Sequence, residues 1–323
     1  MAYQNVGTPI FYVDHGLWLH SLGLYSATNP FYTPTHDLSQ LSQLNPSSIL
    51  IRGTNDDYYL KRHAPMNYAA FLGHEHSGLI MYPEFRSADN TNLGINPLTS
   101  VVNGQIYSQS SSITYDGFSI CEVTASDDDY YGLSNLQFAI DTTTEGERQL
   151  KIGSIFMGQY YDMPHSPDLS LKMSHEYKGI KKQESMGGST LTNVNYYKPP
   201  DWGNLEAWQL GFFPRKYSGR RIWNLTFSYL SDDKVEPKHY DMDETHSDWK
   251  DNWFSNVLHY TMGGALPFIF QPDNSATYTT DDGTGEIPAI PELAICRFDM
   301  NTYSRTQVAH NMYTISVKIE ESW

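Results

Sequence analysis

Three histidines, His63, His74 and His76, come closest by type and spacing to a chemical site, the last two within Leu72-Gly73-His74-Glu75-His76. Residues two apart on a strand point to one face, so His74 and His76 would present their imidazoles together. Such a pair suits zinc or iron. No third ligand occurs at a characteristic spacing, and ordinary loop histidines account for the stretch more simply. Asp127-Asp128-Asp129, followed by Tyr130-Tyr131, offers carboxylate oxygens to a calcium ion. An EF-hand register would need alternating ligands, a turn glycine and a distal glutamate, none of which is in place. A solvated acidic loop is the plainer reading.

Glycoside hydrolysis needs two acids roughly 5–10 Å apart in a cleft. With 37 acidic residues in the chain, carboxylate pairs arise by chance and point nowhere. The sequence has no Gly-x-Ser-x-Gly, no Ser-x-x-Lys with its partner motifs and no papain-like cysteine. It also lacks a phosphate loop and a Gly-x-Gly-x-x-Gly after a strand. Asn224-Leu225-Thr226 matches a glycosylation sequon but falls inside a strand pattern. The expectation is therefore no catalytic residue, no metal and no cofactor, hence no enzyme.

Charge narrows the partners. Against 37 acids stand 21 basic residues, a formal net charge of −16. A chain this acidic repels phosphate backbones and anionic lipid, which argues against nucleic acid and membrane surfaces. The short basic clusters, Lys178/Lys181/Lys182 and Arg215/Lys216/Arg220/Arg221, read as solvated turns and strand edges. The start, Met1-Ala2-Tyr3-Gln4-Asn5, has no basic region and no apolar run, so no secretory signal is expected. No window approaches the roughly 18 apolar residues of a membrane span. Cys121 and Cys296 lie far apart in strand-like segments and read as free buried thiols of a reducing compartment. The 24 tyrosines and seven tryptophans favour interfaces or sugar sites. Trp18, Tyr58, Tyr59, Tyr130 and Tyr131 are the candidate stacking platforms for glycans or partners. The alternative is that they are turn aromatics buried in a sandwich.

The elements that must position these groups are mostly strands. From Arg221 to Leu230, Trp223, Leu225, Phe227 and Tyr229 alternate with Asn224, Thr226 and Ser228. Tyr313, Ile315, Val317 and Ile319 alternate likewise with Thr314, Ser316, Lys318 and Glu320. Shorter strands are expected over Leu79–Tyr82, Ser119–Val123, Leu136–Ile140, Leu150–Met157 and Ala294–Phe298. Asn103-Gly104, Asp116-Gly117, Gly187-Gly188, Pro199-Pro200 and Asp282-Gly283 mark turns and loops between them. One amphipathic helix is predicted over about residues 247–261, with Trp249, Trp253, Val257 and Tyr260 as its stripe. Ser247 would cap it, and Gly263-Gly264 would stop it.

At 323 residues the chain is long enough for two domains. The extended connector Met163-Pro164-His165-Ser166-Pro167 divides them into residues 1–160, read as a β-sandwich, and residues 161–323.

The C-terminal part carries an ordered set of motifs. Arg221-Ile-Trp-Asn-Leu-Thr-Phe-Ser-Tyr-Leu230 is followed by the helix, then Gly263-Gly264-Ala-Leu-Pro267-Phe268-Ile-Phe270-Gln-Pro272. Leu293-Ala-Ile-Cys296-Arg297-Phe-Asp299 and the strand from Tyr313 to Glu320 complete the set. Over roughly residues 205–323 this resembles the distal tail and minor tail-tip, or baseplate hub, proteins of tailed bacteriophages. The resemblance implies a small split β-barrel with one flanking α-helix, its core built from Trp223, Phe227, Trp253, Phe268 and Phe270. The upstream half is similar in strand pattern to the galectin-like or discoidin-like sandwiches carried by such proteins. The resemblance further implies a structural protein of the virion tail, made in the host cytoplasm. It would form a three-fold or six-fold homo-oligomeric ring and dock other tail proteins or fibres. A carbohydrate-binding module for host-surface glycans is the alternative, and a neck or capsid-associated structural protein the next.

Overall fold

The computed structural model of the chain describes residues 7–21, 58–61, 68–74, 80–87, 117–122, 133–141, 154–177, 180–194, 201–202, 205–206, 220–238, 252–274, 277–279, 286–288 and 293–322. The protein is mainly β, and the sheets are antiparallel.

The longest strand, Arg220–Ser231, realises the alternation of its sequence. Trp223, Leu225 and Phe227 stand opposite Ile319, Val317 and Ile315 of the strand Met312–Glu321. All six are buried. A matched register of this kind joins two apolar stripes into one core wall. On the other face the hydroxyls of Thr226 and Ser316 lie 3.1 Å apart. Past Phe227 the register shifts through a bulge, where Tyr229 takes φ 61° and Leu230 turns back into the core. Tyr229 therefore leaves the stripe that strict alternation assigns it to and is exposed.

These two strands belong to an eight-stranded sheet. Its path runs from Tyr160–Asp162 through Ile10–Val13, Phe268–Gln271, Ala294–Phe298, Met312–Glu321 and Arg220–Ser231 to Lys172–Glu176. Arg305–Ala309 pairs with Met312–Glu321 beside this path. Ile10–Val13 is held between Tyr160–Asp162 and Phe268–Gln271 and is buried throughout. A strand covered on both faces needs no polar alternation, and Ile-Phe-Tyr-Val has none. The first strand of the chain thus shares a sheet with the C-terminal motif segments.

Upstream, two further three-stranded antiparallel sheets form. One pairs Tyr58–Lys61 and Ile80–Ser87 with Leu133–Asp141, and the other pairs Gly117–Glu122 and Ser154–Gly158 with Tyr68–His74. The buried Tyr68 ring meets Tyr12 edge-on at 5.2 Å, which ties the second of these sheets to the eight-stranded one.

The amphipathic α-helix expected over residues 247–261 takes a different form. Residues 247–251, with the Ser247 cap and Trp249, lie outside the described residues. Beyond them a wide π-turn covers Phe254–Leu258, followed by a 3-10 turn at Met262–Gly264. His259 N–H donates to Phe254 O at 2.9 Å, one residue further back than an α-helical bond reaches. Asn252 caps this segment, its Oδ1 accepting the Ser255 N–H at 2.9 Å. Asn252, Trp253, Ser255, Asn256, Val257, Leu258, Tyr260 and Thr261 are all buried. A segment buried nearly all round is no surface helix with one apolar stripe. The stop falls where expected: Gly263 and Gly264 have φ 67° and 105°, and Leu266 N–H donates to Thr261 O at 3.0 Å. Among the described residues no helix is long and apolar enough to cross a membrane.

Candidate functional site

The five aromatics assigned to a barrel core, Trp223, Phe227, Trp253, Phe268 and Phe270, lie in one buried cluster. Trp223 meets Phe270 edge-on at 5.3 Å. Phe11, from the N-terminal strand, sits at the centre: its ring lies 4.9 Å from Trp253, 5.1 Å from Phe270 and 5.6 Å from Phe268. Phe11 carries no motif, and its only sequence signal is membership of an uninterrupted apolar run. Pro267 is buried at the entry to the Phe268 strand. Gly264 lies against Phe298, where a Cβ would come within 2.8 Å of that residue's Cβ and carbonyl oxygen. Gly263 faces open space and is needed only for its backbone angle.

Cys296 and Arg297 part company. Cys296 is a buried free thiol whose pKa is pushed up by burial and by the neighbouring Glu321, which makes it inert. Arg297 points outward, donating Nε–H to Ser322 Oγ at 3.0 Å and a second N–H to Ala265 O. It ties the Gly-Gly turn to the end of the last strand. Arg221 overturns its reading as a solvated strand-edge charge. It is buried, with Nε 2.7 Å from Glu321 Oε1, while its own backbone N–H donates to Glu321 Oε2 at 2.7 Å. Its guanidinium also lies 5.0 Å from the centre of the Trp223 ring. Charge pairing with both carboxylate oxygens engaged offsets the desolvation that would otherwise expel it.

A second polar group lies at the start of the first helix, His15–Ser21. Asp14 Oδ1 accepts the Leu17 N–H at 3.2 Å and caps it, and the His15 ring stacks on Tyr260 at 3.7 Å. Gly158 packs so closely that a Cβ there would fall 2.2 Å from Val13 O and 2.9 Å from the His15 ring. Trp18 is half-buried, edge-on to Tyr260 at 5.0 Å and 5.3 Å from His259. Burial among these rings lowers the pKa of His259. The adjacent acid and imidazole, Asp14 and His15, are an acid–base pair by type, yet they work as a helix cap and a packing ring. Trp18 likewise packs against this wall, with part of its surface left exposed.

Of the metal candidates, His74 ends the strand Tyr68–His74, while His63 and His76 lie outside the described residues. So do Asp127, Asp128, Asp129, Tyr130 and Tyr131. Tyr58 and Tyr59 are on the strand that pairs with Gln137 and Phe138. No cluster of three or more His, Cys, Asp or Glu side chains suited to a metal occurs among the described residues.

After the edge strand Lys172–Glu176 comes a hairpin, Ile180–Glu184 with Thr190–Val194, turning at Gly187-Gly188. From Ile180 to Thr192 every residue but Ser185 is exposed. Two lysines, Lys181 and Lys182, stand on it. No family model, no curated protein and no solved structure matches this chain.

Proposed function

We propose that the protein is a non-enzymatic assembly subunit, a structural component of a phage tail tip or baseplate that builds a ring and docks neighbouring tail proteins. The observation that carries this reading is a well-filled aromatic core whose sheet, among the described residues, ends in the edge strand Lys172–Glu176. Among the described residues Asp14 and His15 are committed to a cap and to packing, and Arg221 and Glu321 to a buried ion pair. An exposed sheet edge is a pairing template that proteins otherwise blunt or cover. The motif order over residues 205–323 supports the tail-tip assignment. On this reading the eight-stranded sheet wraps the π-turn as a split barrel, and the two three-stranded sheets upstream face each other as a sandwich.

The test is the mass of the purified full chain by light scattering coupled to size-exclusion, with negative-stain images of any large species. A closed ring of three or six copies supports the reading. A monomer of 36.9 kDa at every concentration sinks it and turns attention to glycan binding by the upstream sheets.

A further inference from the structure

We draw no further inference here: the strongest candidate, the surface patch where the half-buried Trp18 and the exposed Ser21 of the first helix meet the exposed Met262 beside the Gly-Gly turn, carries nothing, because nothing in the structure shows what covers it.

Discussion

At the residue scale, the two glycines of the Gly263-Gly264 turn separate backbone strain from packing. Both have positive φ, but only Gly264 abuts Phe298. Gly263→Ala is expected to cost about 1 kcal/mol, the left-handed penalty alone. Gly264→Ala adds a steric overlap with backbone that has little room to yield, for about 2–4 kcal/mol in all. Equal costs in urea denaturation would show that Phe298 moves aside. The Arg221–Glu321 pair admits a similar contrast. Glu321→Gln leaves a buried guanidinium without its counter-charge and should destabilise by about 3–5 kcal/mol. Arg221→Met combined with Glu321→Leu should come much closer to neutral. A double variant as damaged as the single one would mean that the carboxylate's bond to the Arg221 N–H carries the effect.

His259, on the wall beside Trp18 and Tyr260, contributes a pH dependence. Its pKa is lowered from the ordinary 6.5 by burial, so the proton binds better to the unfolded chain. Its contribution is complete above pH 6.5 and is lost as pH falls from there through the lower value that it has in the fold. Thermal midpoints measured across that window should decline, and His259→Gln should flatten the decline. An unchanged slope in the variant would remove His259 as the cause.

At the element scale, the N-terminal strand decides whether residues 161–323 stand alone. Phe11 fills the space between Trp253, Phe268 and Phe270, and Ile10–Val13 bridges Tyr160–Asp162 to Phe268–Gln271. Phe11→Ala should cost about 3–5 kcal/mol. A fragment of residues 161–323 should give poorly dispersed amide spectra, and fusing residues 7–21 back to it should sharpen them. A well-dispersed spectrum from the fragment alone would make the strand an accessory. The two long strands are legible in the sequence, because one wet face imposes a period of two on Trp223-Leu225-Phe227 and Ile315-Val317-Ile319. Ile10–Val13 is not, because burial on both faces erases that period. The helix over 247–261 is legible as an apolar stripe. Its π-turn is not, because an apolar stripe does not separate a bond reaching four residues back from one reaching five. Burial of Arg221 is equally hidden, since its partner Glu321 lies 100 positions away. The hairpin is half legible: Lys181 and Lys182 read as solvated and Gly187-Gly188 as a turn, but Ile180-Lys-Lys-Gln-Glu184 has no alternation to mark it as a strand.

At the scale of the whole molecule, the −16 charge makes self-association depend on salt. Copies of so acidic a chain repel one another across distances comparable to the screening length of about 30 Å at 10 mM salt. At 150 mM that length is about 8 Å, and the repulsion between bodies is largely removed. Short-range contacts between copies act within about 4 Å and lose much less over the same range. Self-association should therefore tighten as salt rises from 10 to 150 mM, by about tenfold if screening of the net charge dominates. Sedimentation velocity over that range reads the change directly. Association that weakens steadily with salt would mean that attractive ion pairs between copies outweigh the repulsion of their net charge.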